Sequence, residues 1–518
     1  MVDKKHPHYS WICGCQRLKD RWDWLKIWSY EATDRAISEV FQVTECTKPA
    51  EELQLRFDFG LGKPIVGAYT GGEISSDGGL PLVRLADERL KLTEYMALCL
   101  GEKRDSAYIR HQLRELLRQR VYAIACGYED ANDAGRLRTD PVFRCAAGSD
   151  FSRRLASQPT ISRLETSVTQ QENGFLQGSL VNNYIRSHKK APKKVILDID
   201  TTCDEVHGYQ QLSFYNGFYG TDCYIPLFGF DQDGYPLLAV LRPGNYAPAE
   251  DVARAVRPVI EALRAAWPKT QIELRADAAF CNRDIYRICE DNDVTYFIGL
   301  KSNHALRCAT KELVAKAKKD FEDAYGPANA PRGTVWRQRE ERLRFASKQE
   351  GRMQELFERE KRVRIVGEVK YCARSWDKDR RVICRVDYTE EGEELRFVVT
   401  NARRGRPRWI YEQKYCKRGQ CENWIKEMKA LKCDRLSCQE FEANQFRLLL
   451  HAHAYILLRE MRNSLPSQQR AISVESLRNH FIKVGVLVRE SARQVWLQWS
   501  SAYPWKQQFG FMYEHLQL

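Results

Sequence analysis

Two strand patterns, each closing on an aspartate, constrain the fold more than any other feature of the sequence. Residues 193–202 contain a β-branched apolar run that ends at Asp200, and residues 271–277 contain an alternating run that ends at Asp277. Short runs rich in Val and Ile between charged residues are typical of buried strands. We therefore expect both carboxylates to emerge at the carboxyl ends of strands.

The stretch between these two strands determines the type of sheet. Residues 223–230 and 235–241 are strand-like and are separated by Asp231-Gln232-Asp233-Gly234, whose Asp-Gly pair favours a hairpin turn. The chain continues with a helical pattern before the second acidic strand and with a helix and a strand pattern after it, at residues 249–266, 282–292 and 294–300. This order predicts an α/β fold with a mixed sheet and helices on both faces, as in ribonuclease-H-like proteins.

Four polar residues nearer the C-terminus share one face of a predicted helix: Tyr415, Arg418, Glu422 and Lys429. A helix turns about 100° per residue, so offsets of 3, 7 and 14 residues from Tyr415 place these side chains in one narrow stripe. The opposite side carries the apolar residues Trp424, Met428 and Leu431. A carboxylate flanked by Tyr, Arg and Lys suits a metal and a phosphate, whereas the alternative interpretation is a solvated polar stripe.

At these residues the chain resembles the DDE transposases of bacterial insertion sequences, in the cut-and-paste group whose last acid lies in a Y-x2-R-x3-E-x6-K signature. Tyr415, Arg418, Glu422 and Lys429 match that signature without a gap. The segments that resemble those of the first and second acids are Asp200-Thr201-Thr202 and Arg275-Ala276-Asp277. Further matching segments lie at residues 71–79, 124–133, 158–165 and 214–220, and the resemblance covers roughly residues 56–510.

The resemblance implies a transposase that cuts and joins DNA by two-metal phosphoryl transfer. Asp200, Asp277 and Glu422 would be the catalytic residues and would bind two Mg²⁺ ions, with Mn²⁺ as a substitute. Arg418 and Lys429 would bind phosphates, and Tyr415 would donate a hydrogen bond to the DNA backbone. The implied partners are double-stranded DNA, as terminal inverted repeats and as target, and a second copy of the chain in a homodimer on paired ends.

Three alternatives stay open. Asp198 lies on the same strand face as Asp200 and is its main rival for the first metal position. Asp198-x-Asp200-x-Thr202 also matches the nucleophile motif of haloacid-dehalogenase-type phosphotransferases, although the hairpin signal at residues 231–234 argues against their parallel sheet. A catalytically silent, domesticated DNA-binding protein or transposition repressor is the alternative function.

Three arginines and one tryptophan are further candidates for DNA binding. Arg110, Arg114 and Arg118 recur every fourth residue on a helix predicted from Ser106 to Cys126, so we predict that they contact phosphates. The alternative is a solvated arginine stripe. Trp376 lies at a predicted turn of the insertion, where the resemblance implies stacking on a flipped base, and ordinary packing is the alternative.

These features predict six regions. They are a basic N-terminal extension of unknown role at 1–55, a helical DNA-binding region at 56–190, the first part of the catalytic core at 191–300, a β-rich insertion at 301–400 implied to cover the active site, the last part of the core at 401–465 and a C-terminal helical region at 466–518.

Composition agrees with a polyanionic partner. The chain has 518 residues and a net charge of +13. It contains no apolar window long enough for a membrane span, and its polar N-terminus does not resemble a signal peptide. The 17 cysteines include no C-x-x-C pair, which favours reduced thiols. We therefore expect a cytoplasmic, nucleoid-associated bacterial protein without a membrane partner.

Overall fold

The computed structural model describes residues 54–57, 59, 63, 65–247, 249, 251–326 and 361–517. Contacts divide the chain into two compact units, Met1–Gly72 and Glu73–Leu518. In the first unit, β1 (Gln54–Phe57) and β2 (Ile65–Ala68) form an antiparallel hairpin. The predicted N-terminal extension at 1–55 lies almost wholly outside the described residues.

The second unit is organised around one large mixed sheet. Its strands and those of two smaller sheets are β3 (Glu73–Ser75), β4 (Lys194–Thr201), β5 (Asp204–Glu205), β6 (Phe214–Asn216), β7 (Thr221–Tyr224), β8 (Leu227–Phe230), β9 (Pro236–Val240), β10 (Gln271–Ala276), β11 (Val294–Leu300), β12 (Arg362–Tyr371), β13 (Arg380–Thr389), β14 (Gly392–Thr400), β15 (Val486–Glu490) and β16 (Val495–Trp499). The large sheet has the order β12-β13-β14-β11-β10-β4-β8-β9. β4, β10 and β11 run parallel, and every other neighbouring pair is antiparallel.

Helices surround this sheet and form a separate helical layer near the start of the unit. The longer ones are α1 (Leu80–Leu90), α2 (Leu92–Leu100), α3 (Leu113–Cys126), α4 (Pro141–Ala147), α5 (Gln158–Thr166), α6 (Gln170–Ser187), α7 (Val252–Ala266), α8 (Arg283–Asp291), α9 (His304–Ala309), α10 (Lys311–Tyr325), α11 (Gln420–Ala430), α12 (Phe441–Asn463) and α13 (Lys506–Gln517). α12 is buried along nearly its whole length and packs against α1, α3, α6 and β9. Among the described residues, no helix combines the length and apolar character that a membrane span requires.

The local signals explain why the centre of the sheet forms where it does. β4 is buried from Val195 to Ile199, so its apolar run faces core on both sides. The predicted turn joins β8 to β9: Asp231 accepts hydrogen bonds from the N–H groups of Asp233 and Tyr235, and Gly234 adopts a positive φ of 82°. The antiparallel β8 beside β4 does not suit the doubly wound parallel sheet of a haloacid-dehalogenase-type enzyme.

Three sequence expectations need correction. The run at 223–230 is split into β7 and β8, because Pro226 lacks an N–H group and cannot continue a strand ladder. The insertion predicted as β-rich at 301–400 contains α9 and α10 in its first part, and its strands β12–β14 extend the large sheet through the pairing of β14 with β11. The C-terminal region is not purely helical, since β15 and β16 form a hairpin that pairs with β3.

Candidate active site

The strand register brings Asp200 and Asp277 to the same edge of the sheet. β10 runs parallel to β4, and Arg275 pairs with Asp198. Two residues further along each strand lie Asp277, just after β10, and Asp200, the second-last residue of β4, so both are at the carboxyl ends of neighbouring parallel strands. The carboxylate of Asp277 also accepts a hydrogen bond from the N–H of Ala279 at 2.8 Å, which fixes the turn after β10.

Glu422 joins these acids from the first turn of α11, which packs against β4 and β8. Arg418 lies between two of the three carboxylates. Its Nη1 atom is 3.5 Å from a carboxylate oxygen of Asp200 and 3.6 Å from one of Glu422. Asp200 is largely buried, whereas the side chain of Glu422 is 57% exposed. Asp200 and Glu422 therefore flank one guanidinium group, on which the charge of Asp277 also acts.

The electrostatics of Asp200 reflect this convergence. Burial raises the pKa of Asp200 to about 6, and the negative charges of Asp277 and Glu422 act in the same direction. The N–H of Thr201, which donates to Asp200 at 2.8 Å, and the charge of Arg418 oppose that shift. Excess negative charge at a partly buried site is the condition that a bound cation relieves.

Tyr415 closes the site from the side of β11. A Cβ atom at Gly299 would lie 2.7 Å from the Tyr415 hydroxyl oxygen, so glycine is what leaves room for this ring. Burial raises the pKa of Tyr415, which the nearby Arg418 opposes and the charge of Asp277 reinforces. Tyr415 therefore lies beside the second acid and beside the arginine that bridges the other two.

The helical register predicted for the signature segment is wrong in its first half. Ile410–Tyr415 form a π-helical turn and Cys416–Gly419 a 3₁₀ turn, and regular α-helix begins only at Gln420. A uniform 100° per residue from Tyr415 therefore does not hold. The apolar side remains as predicted for Met428 and Leu431, which are buried, while Trp424 is partly buried against the Gly234 turn.

Asp198 has a partner of its own. It is 1% exposed and forms a bidentate ion pair with Arg275, with both N···O distances at 2.5 Å. The third nitrogen of Arg275, Nη1, donates to the carbonyl of Lys414 at 3.1 Å. This arrangement engages both oxygens of Asp198 and leaves Asp200 as the acid of β4 that faces Arg418.

Lys429 is also engaged within the fold. Its ammonium donates to the carbonyl of Cys203 at 2.7 Å and lies 3.4 Å from Asp204 and 3.9 Å from Asp434. Burial raises the pKa of Asp204 to about 7, and the charge of Lys429 opposes that shift. Phosphate binding by Lys429 stays a prediction, and Asp204 is a partner that the signature does not reveal.

The donor set of the site suits a hard divalent cation. In the part of the chain that the structure describes, no group of three His, Cys, Asp or Glu residues is close enough to hold a metal ion as it stands. Arg418 instead supplies the positive charge between Asp200 and Glu422. Carboxylate oxygens are the ligands that Mg²⁺ and Mn²⁺ prefer, and the charges of Asp277 and Glu422 add to the effect of burial in raising the pKa of Asp200.

The predicted arginine stripe is not continuous. The helix begins at Leu113 and not at Ser106. Arg110 therefore lies outside the helix, where it is exposed. Arg114 is 3.6 Å from Glu94 across the surface. Arg118 is buried, and its Nε atom lies 3.4 Å from Asp87. The prediction that Arg118 contacts a phosphate is therefore wrong. A residue period cannot reveal that partner, which is 31 positions away.

Trp376 lies in the turn between β12 and β13, as predicted, and its ring packs inside the fold. It makes edge contacts with Tyr286 and Tyr371 at centroid distances of 5.5 Å and 5.4 Å. Arg380 lies 5.5 Å from the ring centroid. These contacts favour ordinary packing over stacking on a DNA base.

A basic loop that follows β14 was missed. Arg403, Arg404 and Arg406 are exposed and form no ion pair within the described residues. They line a groove of about 1540 Å³ together with Trp409 and Lys414, the residue next to Tyr415. The run Arg-Arg-Gly-Arg in the sequence could have indicated this patch.

Comparisons with known proteins bear on what this site does. The sequence model described as transposase DDE domain group 1 matches residues 57–518. A comparison with curated proteins found no match.

Among solved structures, the chain is similar to the piggyBac transposase in a synaptic complex with hairpin DNA, at 9% sequence identity and a TM-score of 0.35. That alignment covers 86% of this chain and 82% of the other. The sequence match extends over far more than half of the chain and includes all three converging acids. The chain therefore belongs to the DDE transposase family, in the group described as transposase DDE domain group 1.

Proposed function

We propose that this protein is a metal-dependent DNA transposase of a bacterial insertion sequence, which cuts DNA at the ends of its element and joins the freed 3′ ends to target DNA. The observation that carries the proposal is the placement of Asp200 and Glu422 beside Arg418, with Asp277 at the end of the neighbouring parallel strand. These residues come from two strands and a helix that are far apart in sequence. A constellation of this kind suits phosphodiester chemistry better than it suits a solvated polar stripe.

The strand order supports a ribonuclease-H-like catalytic core. β9, β8 and β4 form an antiparallel series, and β10 and β11 continue in parallel beside β4. Asp200 lies near the carboxyl end of β4, Asp277 follows β10, and Glu422 lies on α11, which packs against β4 and β8. This placement agrees with the expectation from the sequence that the acids share one end of the sheet.

The residues of the site would bind the metal ions and the DNA in separate roles. Asp200, Asp277 and Glu422 would hold two divalent ions, Mg²⁺ or Mn²⁺, which when bound would supply an activated oxygen and neutralise the leaving oxygen. Arg418 would bind a phosphate oxygen, because its fork of N–H groups fits that geometry. Tyr415, buried beside Asp277, would orient the DNA backbone by donating its hydroxyl proton.

The proposal includes the partners that a cut-and-paste reaction needs. Both ends of the element must be held together before joining, so we expect a homodimer on two terminal inverted repeats and, later, on target DNA. We expect this assembly in the bacterial cytoplasm.

The test is a cleavage assay with purified protein and labelled DNA ends of its own element in EDTA, Mg²⁺ or Mn²⁺. We expect metal-dependent cutting at the element boundary, and a loss of at least about 100-fold in Glu422→Gln, because one metal ligand is removed. Glu312→Gln makes the same chemical change at an exposed position of α10 and should cut normally.

End binding is measured in the same samples. Binding without cutting in every metal would favour the repressor alternative. Normal cutting by Glu422→Gln would remove that residue from the metal site.

A further inference from the structure

One surface lies outside the roles proposed so far: the hairpin of β6, its turn and β7, residues 214–224, which we call the aromatic hairpin. Phe218 at its tip is 89% exposed and Tyr215 is 65% exposed, and Phe214 and Tyr219 also reach solvent. Large apolar side chains clustered on a surface are uncommon in folded domains and mark binding surfaces. The resemblance drew attention to this segment without giving it a role.

The aromatic hairpin is held in a defined shape. The side-chain oxygen of Asn216 accepts hydrogen bonds from the N–H groups of Phe218 and Tyr219 at 3.0 Å and 3.3 Å. Its amide nitrogen donates to the carbonyl of Gly244 at 2.7 Å, which ties the turn to the strand region behind it. Gly220 closes the turn with a φ of 73°, a conformation that favours glycine. Phe218 is therefore presented to solvent on a rigid support.

The aromatic hairpin stands at the sheet edge that carries the acids. β5 begins four residues after Asp200 and pairs with β7, and the N–H of Thr202 donates to the carbonyl of Pro226. β8 begins at Leu227, opposite Thr201. Tyr219 is close enough to the site that the charges of Asp200 and Asp277 act on its hydroxyl group, whose pKa burial raises.

The groups around the hairpin suit a nucleic acid strand. Arg418 lies beside the acids, and Lys429 reaches the carbonyl of Cys203 at the base of the hairpin. Cationic groups next to exposed aromatic faces are the combination that binds single-stranded nucleic acid, because phosphates meet the cations while bases stack on the rings. Stacking of this kind is tolerant of base sequence.

We infer that the aromatic hairpin binds an unstacked base of the DNA strand whose phosphate reacts at Asp200, Asp277 and Glu422, with Phe218 as the principal stacking surface. The inference rests on the proposed function and adds to it how the reacting strand is held. It assigns base binding to the aromatic hairpin instead of to Trp376, whose ring is packed within the fold.

The experiment uses duplex ends of the element with 2-aminopurine placed singly at each position beside the cut, bound to the full chain in EDTA. Unstacking of a base from its DNA neighbours raises 2-aminopurine fluorescence, and anisotropy of a remote dye reports binding in the same sample. We expect one position to brighten with wild-type protein, Phe218→Ala to lose that response and Phe218→Trp to keep it. Removal of the stacking ring should also weaken binding of ends with an unpaired base there by roughly 5- to 100-fold.

Phe175→Ala is the matched control, because it removes an exposed phenylalanine from α6, away from the acids. Its fluorescence response should equal that of wild type, and circular dichroism should show all variants folded. Normal binding with no brightened position, or with an unchanged response in Phe218→Ala, would overturn the inference while leaving the proposed function intact. Failure of the wild type to bind DNA would overturn both, and a changed oligomeric state of free Phe218→Ala would assign the surface to a second copy of the chain.

Discussion

At the scale of single residues, two aspartates separated by one position on β4 differ in their partners, although burial raises the pKa of each to about 6. Asp198 is fully buried but neutralised by the bidentate guanidinium of Arg275. Asp200 lies closer to solvent, with the guanidinium of Arg418 3.5 Å away. Burial raises its pKa, and the charges of Asp277 and Glu422 add to that effect. A structural ion pair satisfies its own charges, whereas a site that awaits a cation carries unbalanced charge. This contrast supports Asp200 as the metal ligand.

The contrast predicts different outcomes for two alanine variants. Asp198→Ala leaves the buried Arg275 without its counter-charge and should lower the free energy of unfolding by about 3–5 kcal/mol. Asp200→Ala removes a carboxylate that is repelled in the native state, so its melting temperature should equal or exceed that of wild type while cleavage is lost. Thermal unfolding and the cleavage assay together check this. A stable but inactive Asp198→Ala beside an active Asp200→Ala would reverse the assignment.

At the scale of elements, the sequence predicted the strands that hold the site because their signals are local. The boundaries of β4, β10 and β11 match the predicted runs to within one residue, and the Asp-Gly turn forms as expected. Each depends on side chains only a few positions apart. The three acids were predicted from their positions at strand ends and in the signature, and their metal-binding role stays a prediction.

Features that depend on distant packing were not predictable in this way. The π-helical turn of Ile410–Tyr415 forms where Ile410 and Tyr411 pack into a small core with Phe297 and Val398. No periodicity in the segment encodes that contact. The sequence pattern placed Arg118 on the surface, because its partner Asp87 belongs to another helix and no local pattern reveals that ion pair.

Two histidines of the long buried helix α12 predict how the stability of the protein depends on pH. His451 and His453 are fully buried, and burial lowers their pKa values to about 3 and about 4. Below pH about 6.5 the unfolded chain binds protons at these rings while the native chain does not, so stability falls as pH falls, until the native pKa is reached. The expected loss is about 1.4 kcal/mol per pH unit for each histidine.

Melting temperatures between pH 7 and pH 5 check the effect. His453→Gln should show a shallower decline than wild type, although its stability at pH 7 is lower because the contact of the ring with Ser179 is lost. Substitution of an exposed histidine, His207→Gln, is the control and should follow the wild-type curve. Equal declines in His453→Gln and wild type would show that this ring does not govern the pH response.

At the scale of the whole molecule, the net charge of +13 includes the exposed arginines of the basic loop, Arg403, Arg404 and Arg406. Asn401, at the start of the basic loop, bonds to the backbone of Val294 and Tyr296, whereas Asp277 follows the opposite end of the neighbouring strand. At about 3.3 Å per residue the loop and the acids are separated by roughly 15–20 Å along the sheet. Residues 407–415 connect them, so a duplex lying along this segment would meet both.

The structure of the basic loop suits such a contact. Arg381 donates to the carbonyls of Ala402 and Gly405 at 3.0 Å and 2.8 Å, and Gly405 adopts a φ of 109°. These bonds hold the loop open toward solvent, so that its arginines reach outward without an acidic partner in the described residues. We therefore expect Arg403 and Arg404 to contact phosphates and to release counterions on binding.

The double variant Arg403→Ala, Arg404→Ala should weaken binding of every duplex, whatever its sequence, because phosphate contacts carry no sequence information. Each lost contact lowers the slope of log affinity against log salt by about 0.9, so the slope should fall by about 2. Arg254→Ala, Arg257→Ala removes the same charge from the exposed side of α7 and should leave the slope unchanged. Anisotropy titrations between about 50 and 200 mM salt measure both. An unchanged slope of log affinity against log salt in the loop variant would show that DNA does not contact this edge of the sheet. The duplex would then extend from the acids in another direction.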